Sequence, residues 1–442
     1  MPGRTVRALL VAVVCASVAS CSNRNTGGES ATLRRITIES GYDGYPAVAG
    51  DGQAIVFSSD RTGAFELYVT RTDQSRDVRA ITSDRGQNVE ADWSPDGAWI
   101  AYHSRARGGV WIVGASGGAP RKVRDTGSQP AWSPRGDRLA FTDAAPGEVA
   151  DATVVWTIRT DGTDARPLTT IGSPPGAHHH PAYSNDGRHV AFAAGGDAGP
   201  SIFVISAQGG ASVNVASGRA ASHPRFAPHD DVLFWTGADE QGRPRVSRTP
   251  VERGRGAPIG FPEVAATFDA ASTIDAMSID REGVAAIGLV SESAHLWAID
   301  IAPDGAVSVP IQLTDAPGRD AAPAMAAGDR VAFTRQVLND KPSPWTMNAD
   351  GSDERPARDE DRGARALLSP SADRVRVVTR DGVRNLMSVA ARPGGHDDRM
   401  LTSFTSPGDA IGQALWLPSR PRVIFDRVVR RSSVWTVVLQ RP

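Results

Sequence analysis

The sequence predicts an all-β fold built from one repeated unit of roughly 45 residues, and three observations support this prediction. The 442 residues include 45 Gly and 31 Pro spread along the chain, which is typical of short strands joined by turns and unlike a helical protein. A segment of the type Pro-Ala-aromatic-Ser-Pro-Asp-Gly recurs throughout. A second series of aromatic residues recurs in step with the first.

The first series marks the opening strand of each unit and the turn after it. It is clearest as ADWSPDG from Ala91, PAWSPRGD from Pro130 and PAYSNDG from Pro181. Its central apolar residue recurs at intervals of 39 to 51 residues. The nine positions are Val48, Trp93, Trp132, Tyr183, Phe226, Met277, Met325, Leu368 and Trp416.

Two further series complete the unit. Short alternating apolar runs carry an aromatic residue at Tyr68, Trp111, Trp156, Phe203, Trp297, Trp345 and Trp435, with Val246 and Met387 at the matching places. An Arg-x-apolar-Thr type of segment ends at Thr82, Thr169, Thr314 and Thr402. Each unit therefore reads as four strands of four to six residues, separated by turns that contain Asp-Gly, Gly-Gly or Pro.

A four-stranded antiparallel unit of this size cannot bury both faces alone, whereas units packed around an axis can. This indicates a β-propeller. We expect a single ring of eight to nine four-stranded blades, and the count of first-strand segments favours nine. Residues 34–37 (RRIT) have the signature of a fourth strand, and the last repeat ends after its third strand. We therefore expect the N-terminal strand to pair with the last blade and close the ring.

The N-terminus has the features of an export signal. Arg4 and Arg7 precede an apolar run, Ala8 to Val18, that is too short for a permanent membrane span. The run leads to Ala19-Ser20-Cys21, which resembles a bacterial lipobox, with an ordinary signal cut near Ala19 as the alternative. We expect residues 1–20 to be a lipoprotein signal peptide, 21–32 a flexible tether lipidated at Cys21, and 33–442 the propeller.

The PAWSPDG-type repeat, with its downstream apolar-aromatic strand and Asp-Gly turn, resembles the PD40 repeat, a WD40-like unit of TolB-type propellers. The resemblance covers about 400 residues from Leu33 onward. It implies an extracytoplasmic protein that acts with a protein or peptide partner of the cell envelope. TolB itself has six blades, so the expected count departs from that relative.

Four side chains are candidate ligand-binding residues at the mouth of the ring's channel. Gln129, His180 and His223 each precede the Pro that begins a first strand, so three neighbouring blades bring them to one place. His178 lies two residues before His180. Imidazoles placed in this way could bind a divalent transition metal. The alternative is an exposed loop after Pro174-Pro175 without a ligand.

These observations favour a lipid-anchored, non-enzymatic scaffold, which we expect to be a monomer without a cofactor. The alternative is a metal-dependent polysaccharide lyase or hydrolase, because the similar oligogalacturonate lyases use a His/Gln cluster on a propeller. A ligand sensor is a third possibility. Residues 114–118 (GASGG) match the nucleophile-elbow pattern but lie in a hairpin turn without its strand-to-helix context. The net charge of −2 gives no electrostatic reason to bind nucleic acid.

Overall fold

The architecture rests on strands alone: among the described residues there is no helix, and so none that could cross a membrane. The computed structural model describes residues 33–37, 41–73, 77–145, 152–196, 199–268, 272–302, 306–316, 318–326, 330–337, 341–358, 375–380, 383–388, 399–404, 409–417 and 421–439. Cys21 and the candidate signal peptide lie outside these ranges. The all-β class and the propeller architecture are confirmed.

The described chain opens with β1 (Leu33–Arg35) and continues into five separate four-stranded antiparallel blades. Blade one comprises β2 (Asp43–Val48), β3 (Ala54–Ser59), β4 (Glu66–Arg71) and β5 (Val78–Ala80). Blade two comprises β6 (Asn88–Trp93), β7 (Trp99–Ser104), β8 (Val110–Gly114) and β9 (Arg121–Arg124). Blade three comprises β10 (Ser128–Trp132), β11 (Arg138–Ala144), β12 (Thr153–Arg159) and β13 (Arg166–Pro167).

Blades four and five repeat the pattern, and in every blade the four strands lie side by side in chain order. Blade four comprises β14 (Ala177–Tyr183), β15 (His189–Gly196), β16 (Gly199–Ser206) and β17 (Val213–Ser217). Blade five comprises β18 (Ser222–Phe226), β19 (Val232–Ala238), β20 (Pro244–Pro250) and β21 (Glu263–Thr267). The strands predicted from the repeat are therefore present in these blades.

The remaining strands are joined by two long ones. The first long strand is β23 (Val284–Asp300). It lies in sequence between β22 (Ser272–Ile279) and β24 (Ile311–Gln312). Next come β25 (Arg319–Met325), β26 (Arg330–Gln336), β27 (Ser343–Asn348), β28 (Arg355–Pro356), β29 (Val375–Arg380) and β30 (Val383–Ser388). The chain ends with β31 (Asp409–Leu417) and the second long strand, β32 (Arg422–Val438). Strands β23 and β32 pair along all 17 residues of each.

Each long strand serves two four-stranded groups. In its N-terminal half, which begins at Val284, β23 lies between β22 and the C-terminal half of β32. Strand β1 completes this four-stranded group on the far side of β32. In its other half, β23 lies between β24 and the N-terminal half of β32, with β31 on the outside. The repeats between these two groups, β25 to β30, are therefore inserted between the second and third strands of a blade.

The expected single ring of eight or nine blades is not confirmed. Strand β22 contacts both β18 of blade five and β2 of blade one, so the first six repeats follow one another around a common centre. The described strands of the last three repeats lie outside this circle, and their strand β31 contacts β25, β29 and β30. The repeats do not form one ring because β23 and β32 each continue from one four-stranded group into another. Met277 pairs with the first half of β23, whereas Trp297, in the second half, belongs to the other group.

The expected pairing of the N-terminal segment is present. Leu33 lies opposite Val437 and Arg35 opposite Trp435. The hydroxyl of Thr37 accepts a 3.0 Å hydrogen bond from the backbone N–H of Val434.

This contact explains the Arg-x-apolar-Thr signature. In four other repeats, the hydroxyl of the signature Thr accepts a hydrogen bond of 2.9–3.0 Å from a backbone N–H. The donor is the residue just before the third-strand aromatic residue, or before Met387 at the matching place. The pairs are Thr82 with Leu67, Thr169 with Val155, Thr314 with Leu296, and Thr402 with Leu386. The Thr thus satisfies a buried donor that the end of the fourth strand leaves unpaired.

Apolar clusters between neighbouring blades hold the ring together. The cluster between blades two and three contains Ile112, Trp132, Leu139 and Phe141. In β11, five consecutive residues from Leu139 to Asp143 are buried, because this strand has a blade on each face. Complete burial of a side chain such as Leu139 contributes roughly 1.5–3 kcal/mol to folding.

Candidate functional site

A β-bulge interrupts the first strand of each of the six repeats around the common centre. The bulge lies where one side chain projects into the middle of the ring, just before the Pro or Ala of the repeat motif. The six side chains are those of Tyr45, Glu90, Gln129, His180, His223 and Asp275. A bulge redirects a side chain away from the regular alternation of a strand, which is how these residues come to point along the axis.

Five of the six residues adopt a left-handed backbone conformation, with φ between 45° and 57° at Tyr45, Glu90, Gln129, His180 and His223. A non-glycine residue in this region costs of order 1–3 kcal/mol and persists only where the surrounding structure holds it. Ala322, which has no functional side chain, adopts the same conformation in β25 with φ of 56°. The bulge is therefore a property of the repeat, and the side chain placed on it differs from blade to blade.

The six side chains surround one cavity of about 50 Å³, which we call the axial cavity. Arg225, two residues beyond His223, also lines it. Each of the six repeats around the common centre contributes to this single space. Gln129, His180 and His223 thus line the same cavity.

Gln129 and His180 are hydrogen-bonded to each other. The backbone N–H of His180 donates to Gln129 Oε1 at 2.8 Å, and Gln129 Nε2 lies 3.1 Å from His180 Nε2. The other ring nitrogen of His180 lies 2.7 Å from the hydroxyl of Ser222. Both nitrogens of His180 are therefore already engaged within the protein.

The rings of His180 and His223 lie close together, with centroids 3.9 Å apart. Burial, and then the proximity of His223, holds the pKa of His180 well below its usual range. Burial, and then the charge of Arg225, lowers the pKa of His223 to about 3. Both imidazoles are neutral at neutral pH. His223 Nδ1 lies 3.0 Å from the Thr236 hydroxyl, whereas Nε2 is buried without a hydrogen-bond partner among the described residues.

Two of the three carboxylates near the axis have basic neighbours. Glu90 lies 3.3 Å from His103 Nδ1; burial tends to raise the pKa of Glu90, but His103 and Arg105 bring it below its usual value. Burial raises the pKa of Asp92 to about 6, and the Arg225 guanidinium partly offsets this rise. Asp92 also accepts a 2.8 Å hydrogen bond from the backbone of the next blade.

Asp275 is the third carboxylate. Its Oδ2 accepts from the Tyr42 hydroxyl at 2.7 Å and from the Tyr45 backbone N–H at 3.2 Å. Its Oδ1 is buried and has no hydrogen-bond partner among the described residues. Burial raises the pKa of Asp275 to about 6, because the hydrogen bonds to the ionised form compensate only in part.

His178 does not join the axial cavity. Its side chain is fully buried in blade four, where Nδ1 lies 2.7 Å from the Thr169 hydroxyl and Nε2 lies 2.9 Å from the Pro174 carbonyl. Its ring packs against Phe192 at 5.1 Å. In a regular strand, residues two apart share a face, so the β-bulge between His179 and Ala182 explains the difference: it turns His180 towards the axis and leaves His178 in the blade.

The described residues contain no group of three or more His, Cys, Asp or Glu side chains arranged to hold a metal ion. Within the axial cavity, His223 Nε2 is a free imidazole nitrogen while both nitrogens of His180 have partners. Gln129 and His180 are thus joined by hydrogen bonds, and the ring of His223 lies beside that of His180.

Tyr45, Glu90 and Asp275 line the cavity but were not among the site residues predicted from the sequence. The signal was available, because each occupies the register already identified for Gln129 and His180, immediately before Pro46, Ala91 or Ala276. Applying that register to every repeat predicts the whole ring of axial side chains.

Four-stranded blades arranged around a polar central cavity define this protein as a β-propeller. Comparison with known families places it further. The chain belongs to the family of the lipoprotein LpqB β-propeller domain, which matches residues 155–382, just over half of its length. The PD40 family, described as the TolB β-propeller domain, matches residues 28–170. The resemblance inferred from the repeats is therefore confirmed.

Individual relatives are similar over parts of the chain. A TolB homologue of Chlorobium luteolum is 31% identical over 158 residues, 35% of this chain and 34% of that protein. An uncharacterised protein, Atu1656, of Agrobacterium fabrum is 27% identical over 152 residues, 32% of this chain and 51% of that protein. The chain thus spans from a third to about half of these relatives. The solved structure of a TolB-type protein from Agrobacterium tumefaciens covers 53% of this chain and 87% of its own, at 17% identity and a TM-score of 0.45.

Proposed function

We propose that this protein is a scaffold of the bacterial cell envelope that binds a protein or peptide partner at the axial cavity. One observation carries the proposal: six polar or aromatic side chains, one from each blade, converge on a single cavity. A rigid ring holds them at fixed positions, and their identity varies from blade to blade on the same bulged backbone. Such an arrangement suits recognition of a group that projects from a partner.

The scaffold in this proposal is a ring of six blades. β1 closes the ring as the fourth strand of the sixth blade, and the last three repeats form an extension carried by β23 and β32. In this proposal, residues 33–442 comprise the six-blade ring and its extension, whereas the repeat count favoured a ring of eight to nine blades.

The proposed location is the extracytoplasmic face of a membrane. Residues 1–20 act as the signal peptide, and Cys21 carries the lipid. The tether of residues 21–32 reaches at most about 40 Å when extended, which keeps the ring close to the bilayer. The lipoprotein LpqB and TolB relationships support this location.

An enzymatic role gains no support from the arrangement of the cavity. A lyase or hydrolase whose metal is held by both His180 and His223 needs a free nitrogen on each imidazole. His180 is instead held by Gln129 and Ser222, and His223 has one free nitrogen. The binding scaffold therefore remains the better reading.

Site-specific photocrosslinking tests the proposal. A p-azidophenylalanine introduced at Tyr45 is close in shape to the natural side chain and faces the axial cavity. The matched control carries the same group at Phe261, which is 91% exposed and lies next to the outer strand of blade five. We expect a discrete adduct with an envelope protein in living cells from position 45 and none from position 261. Adducts from position 261 alone would contradict the proposal.

A further inference from the structure

The axial cavity contains a carboxylate seated in space that two glycines leave open. A Cβ atom added to Gly44 or Gly288 would collide with the Asp275 carboxylate. Any other residue at either position would push the carboxylate out of its place. Oδ1, the oxygen that lies against Gly288, is buried and has no partner of regular hydrogen-bond geometry among the described residues, although the Ser432 hydroxyl lies close enough to lower the pKa of Asp275.

Asp275 also differs in its charge environment from Glu90 and Asp92, the other two carboxylates near the axis. Arg105 and His103 act on Glu90, and Arg225 acts on Asp92. The groups that act on Asp275 are hydroxyl and backbone donors, and no cationic side chain is among them in the described part of the chain. Arg225 lines the same cavity but interacts electrostatically with Asp92 and not with Asp275. Because a buried carboxylate without a counter-ion of its own is costly, the position of Asp275 favours a cation.

His223 supplies a second acceptor. Its side chain is 8% exposed and lines the same cavity as Asp275, with Nε2 unpartnered. When Nδ1 donates its proton to Thr236, Nε2 carries a lone pair, and the Asp275 backbone lies close to the same ring, where it favours the protonated form. The ring is neutral at neutral pH, so it does not repel a positive charge.

From this geometry we propose that the axial cavity binds a primary ammonium group of the partner, with Asp275 as counter-ion and His223 Nε2 as second acceptor. The inference rests on the proposed function and names the chemistry that the partner presents, either a lysine side chain or a free N-terminus. A cavity of about 50 Å³ admits a head group of a few atoms. An arginine fits less well, because its planar fork needs two free carboxylate oxygens and Oδ2 of Asp275 is already occupied.

The first test uses the unaltered full-length protein in detergent, titrated with methylammonium chloride at pH 7.5 and followed by the ¹⁵N shift of His223 Nε2. Tetramethylammonium carries the same charge but has no N–H donor, and methylguanidinium tests the planar alternative. We expect saturable binding of methylammonium alone. Equal responses to methylammonium and tetramethylammonium, or a stronger response to methylguanidinium, would overturn the proposal.

Variants then connect the binding to Asp275. Asp275→Asn should weaken methylammonium binding about tenfold to a hundredfold, because it removes a charged acceptor. Asp426→Asn is the matched control: Asp426 is buried, its pKa is raised by burial, and Gly412 makes room for it, but it lies among the last three repeats. Unchanged affinity in Asp275→Asn, or an equal loss in Asp426→Asn, would refute the role of Asp275.

The unaltered protein also gives a pH test that needs no variant. Asp275 has a pKa of about 6 and must be ionised to attract a cation, so affinity should fall as the pH is lowered from 7.5 to 5. Affinity that is constant over this range would contradict the assignment.

Peptides distinguish the two sources of the ammonium group. One peptide carries a single lysine and an acetylated N-terminus, a second carries a free N-terminus and acetyl-lysine, and a third has both amines acetylated. The doubly acetylated peptide should not bind.

Methylammonium binding without a crosslinked partner at position 45 would refute the scaffold function alone. A crosslinked partner without ammonium binding would refute only this inference.

Discussion

The N-terminal strand offers the sharpest test of how the ring is held together, through the substitution Thr37→Val. The Thr37 hydroxyl is buried and accepts from the Val434 N–H at 3.0 Å, across 397 residues of sequence. Valine has nearly the same shape but no acceptor. The substitution therefore leaves the packing in place and removes one hydrogen bond.

The magnitude follows from what remains of the contact. Val434 lies in β32, in the middle of the four-stranded group β22–β23–β32–β1, with β23 on one side and β1 on the other. Without the hydroxyl, its N–H is left buried and unpaired, which costs about 1–3 kcal/mol. Since 1.4 kcal/mol corresponds to a factor of ten, the Val434 amide should exchange with solvent about 5 to 150 times faster when β1 opens locally.

Hydrogen exchange of individual amides measures this directly. Thr37→Ser keeps the hydroxyl and should retain most of the protection at Val434. Thr314→Val removes the equivalent bond to Leu296 and should accelerate exchange there without affecting Val434. If Val434 exchanges at the same rate in Thr37→Val as in the unaltered protein, β1 does not hold the ring in the way described.

Two further predictions concern pH and the membrane. The low pKa of His223, about 3 against an ordinary 6.5, means that the unfolded chain takes up a proton between these pH values that the folded chain does not, so the folded state loses stability as the pH falls. The substitution His223→Gln removes this loss. Urea denaturation should therefore show the free energy of unfolding of the variant rising, relative to that of the unaltered protein, by about 1.4 kcal/mol for each unit that the pH falls between 6 and 4. A difference that does not change with pH would contradict the assignment. Cys21→Ser should move the folded protein from the membrane fraction to the soluble fraction of lysed cells, and unchanged sedimentation with membranes would disprove lipidation at Cys21.

The long strands show where sequence reasoning went wrong. Regular turns made each repeat appear to keep its own four strands, which placed Trp297 in the same blade as Met277. Residues 284–300 contain no Asp-Gly, Gly-Gly or Pro turn, and residues 422–438 contain none either. Two uninterrupted runs of this length were the available signal that one strand continues from one group into another.

The sequence alone determined the features that a single repeat can encode. Strand positions, the fourth-strand threonines, the N-terminal fourth strand at residues 34–37, and the common register of Gln129, His180 and His223 all depend on local turns and on alternation within one unit. These patterns are readable because each is satisfied by neighbouring strands of the same repeat.

Only the tertiary structure decided which repeats are neighbours, because every repeat presents similar apolar faces and could pack against any other. Pairing between β23 and β32, from distant parts of the chain, made the sixth repeat the neighbour of the first. Asp275 and His223 consequently line one cavity. Strands β23 and β32 are far apart in sequence, so no local pattern could specify their pairing.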